Sequence, residues 1–211
     1  MVTASTVDAY SDLYAWLVSA LCHPEDELIQ SEFYQVMKEI SLVLDLDFAA
    51  ELEILEEHVH PSGVGLAALQ VEHSQLFIGP FSLGAPPYES YYREKGIVMG
   101  AGTADVKETY RKAGFEIVED FKDAPDHIVL ELNFLSELCL AETRALSEGC
   151  QNDVSALRRG MKHFLERHFF SWIYAFRKAV ENHAKYSFYP TVVKMLVEAA
   201  SSHYRYLERE E

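Results

Sequence analysis

Apolar residues recur at helical spacing along most of this chain, and no other feature limits its fold as strongly. In the first such window, Tyr10, Leu13, Tyr14, Leu17 and Leu21 follow an i, i+3, i+4, i+7 pattern, which predicts one buried helical face. Comparable windows predict helices at about 28–44, 48–59, 66–77, 103–113, 125–146, 153–168, 170–183 and 190–207. One alternating stretch, residues 115–121, lacks a partner strand and is interpreted as an extended connection. The sequence therefore predicts an all-α, compact multi-helix bundle.

The segment GPFSLGAPPYESYYREKG, residues 79–96, interrupts this helical pattern. It holds three of the seven prolines and three of the ten glycines of the chain, a density that forbids a continuous helix. We expect one long irregular loop at about 78–102. Its aromatic side chains either line a groove or pack the loop against the rest of the bundle.

The length of 211 residues fits a single domain, 1–211, with a possible hinge at 114–125 between two helical halves. A hinge of this kind can exchange helices between two copies, so the predicted state is a monomer or a domain-swapped dimer.

The chain is strongly acidic, with 18 Lys and Arg against 34 Asp and Glu and a formal net charge of −16. Such a charge repels phosphate backbones and anionic lipids, so nucleic-acid and membrane-surface roles are disfavoured. A basic partner is favoured, although an acidic surface also serves solubility.

The other bulk features predict a cytoplasmic location. The three cysteines, Cys22, Cys139 and Cys150, form no closely spaced pair, which predicts neither a zinc ribbon nor a disulfide framework. The first residues lack the basic region of a signal peptide, and no apolar run approaches the roughly 20 residues of a membrane span. We expect no stable membrane insertion.

Motifs for cofactor or metal binding are weak. The glycine-containing stretch GVGLAA at 63–68 follows no strand, so its likeness to a dinucleotide fingerprint has no structural support. The histidines do not have metal-ligand spacing. We expect neither cofactor nor metal.

Asp126 and His127 form the most informative polar pair, placed where a helix is predicted to begin. A carboxylate beside an imidazole could perform acid–base catalysis or hold a cationic ligand. Alternatively, Asp126 caps the helix and His127 bonds a neighbouring loop. Asp123 is a further capping candidate, and Pro125 is expected in the first turn. No activated nucleophile lies nearby in the sequence.

Four sequence elements together resemble the TorD/DmsD/NarJ-type family of redox-enzyme maturation chaperones. They are QLFIGP at 75–80 running into PPYESY at 86–91; PDH at 125–127, followed by Glu131; the segment with His168, Trp172 and Phe176; and FYP at 188–190. The order and spacing of these elements carry the resemblance, since no single motif is decisive.

The resemblance implies an all-helical protein without catalytic turnover. It would bind the twin-arginine signal peptide and the apo form of the catalytic subunit of a molybdopterin oxidoreductase, and delay export until the cofactor is inserted. The peptide-binding residues that it implies are Leu76, Phe81, Pro86, Tyr88, Glu89, Ser90, Gly100, Asp126 and His127. Some family members have Trp in the loop where this chain has Phe81 and Tyr88.

The leading hypothesis assigns Asp126, with Glu89 and Glu131, to the arginines of the peptide. Leu76, Phe81, Tyr88 and Tyr91 would accept its apolar part, while His127 fixes the loop. Two rivals remain: an enzyme that uses Asp126 and His127 as an acid–base pair, and a NarJ-like assembly factor that binds a reductase subunit without an export signal.

Overall fold

The computed structural model describes residues 4–60, 62–79, 84–118 and 121–210. The helices are α1 (Ala4–Leu21), α2 (Ser31–Leu44), α3 (Ala49–Val59), α4 (Leu66–His73), α5 (Glu89–Arg93), α6 (Ala101–Ala113), α7 (Ile128–Glu148), α8 (Gln151–Phe164), α9 (Phe170–His183) and α10 (Phe188–Arg209). A 3-10 turn precedes α2, and π-helical turns follow α4 and join α8 to α9. The predicted all-α bundle is confirmed.

Helix α1 lies at the centre of the packing, against α2, α7 and α10. Its side chains Leu13, Tyr14 and Leu17 are fully buried, as the helical spacing predicts. Helix α7 is buried on several faces, which explains why its apolar pattern is broader than a single stripe. Among the described residues, no helix is long and apolar enough to cross a membrane.

The predicted irregular loop at about 78–102 is partly wrong, because the short helix α5 occupies its middle. Asp126, which is distant in sequence, caps α5: its side chain accepts a hydrogen bond from Ser90 N (2.8 Å) and its carbonyl accepts one from Glu89 N (3.1 Å). These partners satisfy amide groups at the start of the helix. Local sequence contains no sign of them, so the helix was not expected.

Two other helix boundaries differ from those predicted. Helix α7 begins at Ile128 and not near residue 125, because His127 has extended backbone and pairs with Tyr88 in an isolated antiparallel bridge. The predicted break between residues 168 and 170 is also wrong. The π-helical turn Leu165–Phe169 carries the helical backbone through from α8 to α9.

Candidate functional site

The loop before α5 crosses the segment before α7 at Tyr88 and His127. Ile128 N donates to the Pro87 carbonyl (2.9 Å), and the hydrogen bond from Glu89 to Asp126 closes the other side of the crossing. The Tyr88 and His127 rings meet edge to face, with centroids 5.3 Å apart. Two backbone hydrogen bonds and one contact between rings therefore fix two segments that are nearly 40 residues apart in sequence.

Behind this crossing lies an acid cluster formed by Glu89, Asp126 and Glu131, all fully buried. Asp126 accepts hydrogen bonds from Ser90 N (2.8 Å) and Thr103 Oγ1 (2.8 Å), one at each carboxylate oxygen.

Cationic and ring donors hold the other two carboxylates of the acid cluster. Glu89 pairs with Arg93 and accepts a hydrogen bond from His168 Nδ1 (3.0 Å), while Glu131 accepts one from Trp172 Nε1 (3.2 Å). Burial raises the pKa of Glu131 well above its usual value, and the nearby carboxylate of Glu89 raises that pKa further. Both effects favour the protonated form of Glu131 in the folded protein.

In front of the crossing, an apolar groove of about 320 Å³ opens to solvent. The side chains that line the groove include His73, Phe77, Ile78, Tyr88, Asp123 and His127. Ile78 is 59% exposed and the Asp123 side chain 45% exposed, so both are accessible at the rim. Among the described residues, the groove thus combines apolar walls with the accessible carboxylate of Asp123.

Burial disfavours the protonated form of two imidazoles in the groove, those of His73 and His127. Burial lowers the pKa of His73 to about 4, despite a hydrogen bond from its Nε2 to the Leu21 carbonyl (3.0 Å). Burial also lowers the pKa of His127, against the opposing charges of Asp123 and Asp126. His127 Nδ1 accepts a hydrogen bond from Val129 N (3.1 Å) and so caps α7.

The structure brings only some of the predicted site residues to the groove. Tyr88 and His127 line it; Leu76 and Pro86 are buried in the packing beneath the loop, and Tyr91 is half-buried with its ring against Tyr92, 5.2 Å between centroids. Phe81 lies outside the described residues.

Gly100 lies at the start of α6, where a Cβ atom would overlap the Glu94 carboxylate. The buried Ser90 and the acid cluster reach no solvent, so Glu89, Asp126 and Glu131 cannot touch an arginine of a bound peptide in this conformation. Their assignment to arginine binding stays a prediction.

Sequence analysis missed several residues of the groove, above all Asp123, Phe77 and Ile78. Asp123 was interpreted as a helix cap; one carboxylate oxygen accepts a hydrogen bond from the next amide, Ala124 N (2.8 Å), and the other lies 3.9 Å from His127 Nε2. Phe77 was assigned to the end of an ordinary helix and Ile78 to the start of the irregular loop, whereas both belong to the π-helical turn Ser74–Ile78. Within the described ranges, no group of three or more His, Cys, Asp or Glu side chains could hold a metal ion.

The fold and groove place the chain in the structural class of redox enzyme maturation proteins. A crystal structure of a candidate redox enzyme maturation protein from Archaeoglobus fulgidus matches it with a TM-score of 0.52 and 26% identity, over 99% of this chain and 95% of that one. More particularly, the chain belongs to the nitrate reductase delta subunit family, whose model matches residues 43–178. The resemblance stated from the sequence is confirmed.

Curated relatives agree with this placement. The chain is 39% identical to a selenate reductase assembly chaperone protein from Thauera selenatis over 88 residues, 41% of this chain and 45% of the relative. It is 25% identical to the chaperone protein TorD from Vibrio atlanticus over 143 residues, 67% of this chain and 65% of the relative. The chain thus spans about half to two thirds of the length of these relatives, both of which are chaperones.

Proposed function

We propose that this protein is a cytoplasmic chaperone that binds the twin-arginine signal peptide, and the apo form, of a molybdopterin oxidoreductase catalytic subunit. It assists cofactor insertion and delays export until the subunit is folded. The observation that carries this proposal is the apolar groove beside the crossing of Tyr88 and His127, with Asp123 accessible at its rim.

The groove suits a peptide with an apolar run next to positive charges. Phe77 and Ile78 offer apolar surface to the run, and the Asp123 carboxylate can pair with a guanidinium group at the rim. The net charge of −16 adds long-range attraction for a basic peptide. Asp123, and not the buried Asp126, is then the carboxylate that contacts arginine first.

The acid cluster supports the groove from behind. Asp126 holds α5 and Thr103 in place, so the position of Tyr88 depends on Asp126 without direct contact to the peptide. In Asp126→Asn, the new side-chain NH2 group would face Ser90 N or Thr103 Oγ1, both of which now donate to the carboxylate. The variant should therefore have a lower free energy of unfolding as well as weaker peptide binding. Asp123→Asn should reduce binding more than stability, because the Asp123 side chain is 45% exposed at the rim.

A titration of the protein with a panel of twin-arginine signal peptides tests the proposal, read by calorimetry at low and moderate salt. We expect micromolar binding that weakens as salt is added, and a loss of about fivefold to tenfold on Asp123→Asn, the worth of one accessible ion pair with a hydrogen bond. Asp47→Asn, an exposed carboxylate remote from the groove, is the matched control. Absence of binding to every peptide would rule the proposal out.

The apolar walls need their own variants. Tyr88→Ala should weaken peptide binding more than it lowers the free energy of unfolding, because Tyr88 is only partly buried. Pro86→Ala should lower both, since Pro86 is buried and fixes the approach to the crossing. Equal effects of the two variants on binding and stability would indicate a loop with a packing role only.

The family match favours a second candidate function. Because the matching family is that of nitrate reductase delta subunits, the client could be a reductase subunit without an export signal, recognised by a terminal peptide that lacks paired arginines. Including such apolar terminal peptides in the panel separates the two candidates: preference for them, with no loss on Asp123→Asn, supports the second.

A further inference from the structure

The loop between α5 and α6 holds three consecutive apolar side chains in solvent. Ile97, Val98 and Met99, here called the apolar tip, are 57%, 41% and 71% exposed. A run of exposed apolar residues costs solubility and rarely persists on a surface without a function. The apolar tip lies outside the groove, and no role described above uses it.

The loop is built to keep this shape. The Glu94 carboxylate accepts hydrogen bonds from Ala101 N (3.1 Å) and Gly102 N (2.6 Å), at the far end of the loop. Gly96 N bonds back to the Tyr91 carbonyl (2.8 Å), which closes the near end on α5. The apolar tip is therefore presented on a closed and anchored loop.

The backbone of the loop also carries strain. Lys95 and Met99 have φ values of 54° and 62°, a region that bulky residues rarely adopt because Cβ meets the neighbouring carbonyl. Such strain persists only where the surroundings impose it, and it is concentrated at functional positions. Glycine would relieve it at residue 99, yet the chain has the large apolar Met99 there.

Position and charge indicate what covers the apolar tip. Helix α5 spans only about 7.5 Å, so the apolar tip lies one short helix away from Tyr88 in the groove. Residues 93–112 include five basic and three acidic residues, in a chain whose net charge is −16. Lys95 is exposed beside the apolar tip, and within the described part of the chain no carboxylate pairs with it.

We propose that the apolar tip is a second client-binding surface, which inserts into an apolar recess bordered by carboxylates on the body of the reductase subunit whose signal peptide occupies the groove. This inference rests on the proposed function. Two linked contacts on one client raise its overall affinity above that of either contact alone. The signal peptide makes the first contact in the groove, and the body of the cofactor-free subunit makes the second contact at the apolar tip.

The experiment compares two probes by calorimetry: the signal peptide that binds tightest in the panel, and the cofactor-free catalytic subunit from the same precursor with that peptide removed. The triple variant Ile97→Ser/Val98→Ser/Met99→Ser should lose at least about tenfold in affinity for the truncated subunit, since three buried apolar side chains are replaced. It should bind the peptide as the wild type does. Leu42→Ser/Val43→Ser removes two exposed apolar side chains of α2 and is the matched control, with no change expected for either probe.

The variant Met99→Gly tests whether Met99 contributes to binding of the truncated subunit or to the stability of the fold. Glycine accepts the positive φ without strain, so the melting temperature should stay the same or rise while affinity for the truncated subunit falls. A lower melting temperature with equal losses for both probes would make the apolar tip a structural element and overturn the proposal.

Two further outcomes also decide against the inference. If the wild-type protein does not bind the truncated subunit, the apolar tip has no such client, whereas peptide binding in the groove stands unaffected. If vesicles of anionic lipid bind the wild type but not the triple variant, the apolar tip is a membrane contact and the client role is wrong.

Discussion

A single residue, Glu131, should make the protein less stable as pH rises. Burial and the neighbouring Glu89 raise the pKa of Glu131 in the folded state, whereas the unfolded chain has the ordinary value of about 4.5. The folded state therefore binds this proton more tightly, and the resulting stabilisation is complete below pH 4.5 and is lost as pH rises through the folded pKa. Over that window the loss is on the order of 1 kcal/mol for each pH unit.

Glu131→Gln isolates this contribution. Glutamine is uncharged at every pH and its carbonyl can still accept the hydrogen bond from Trp172 Nε1. Urea unfolding at a series of pH values above 4.5 should show the variant gaining stability relative to wild type as pH rises. Glu137→Gln, exposed on the same helix, should run parallel to wild type. If the free energy of unfolding of Glu131→Gln instead follows that of wild type at every pH, folding does not raise the pKa of Glu131.

Sequence identified Asp126 and His127 because they are adjacent and stand at a helix start, a signal that is entirely local. It could not rank Asp123 above Asp126 as a contact for a ligand, because exposure depends on Ser90 and Thr103, which reach Asp126 from other elements. Which carboxylate is buried is a tertiary property. The residue types of the site were predictable, and their roles in it were not.

At the scale of elements, the start of α6 depends on a long-range cap. Glu94 bonds two amides of its first turn, and Gly100 leaves the room that the Glu94 carboxylate occupies. We expect Glu94→Ala and Gly100→Ala each to cost about 1 kcal/mol, because each removes the cap and its favourable charge at the helix N-terminus.

A double-mutant cycle tests this dependence. Once Glu94 is replaced by Ala, a methyl group at position 100 meets no carboxylate, so adding Gly100→Ala should be neutral or slightly stabilising. The double variant should then unfold at nearly the same denaturant concentration as either single variant. If the two losses in free energy of unfolding instead add up in the double variant, Gly100 is needed for a reason other than room for Glu94, for instance contact with the peptide.

Element type followed from the sequence more reliably than element limits. The long apolar periods of α1, α7 and α10 each predicted a helix, since many residues contribute to one pattern. Helix α5 was missed because it is five residues long and its cap comes from residue 126. A strict 3.6-residue period predicted a break between α8 and α9, whereas the π-helical turn Leu165–Phe169 continues the helical backbone from one to the other.

At the scale of the whole molecule, periodicity predicted the bundle but could not predict that α1 packs along α7. That pairing joins the part of the chain before residues 114–125 to the part after it. A hydrogen bond connects the two parts directly, because the hydroxyl oxygens of Ser11 and Ser136 lie 2.9 Å apart in the core. A hinge at 114–125 would let this contact form either within one chain or between two chains.

The double variant Ser11→Cys/Ser136→Cys distinguishes these states. The two side-chain positions are close enough for a disulfide after a small shift, since sulfur atoms bond at about 2.05 Å. In a monomer the disulfide forms within one chain, and the oxidised protein should run as a compact monomer on a non-reducing gel. In a domain-swapped dimer the same pair lies between protomers, and oxidation would produce a covalent dimer. Each single variant controls for linkage through Cys22 or Cys150, and we expect the monomeric product because the structure forms the contact between Ser11 and Ser136 within one chain.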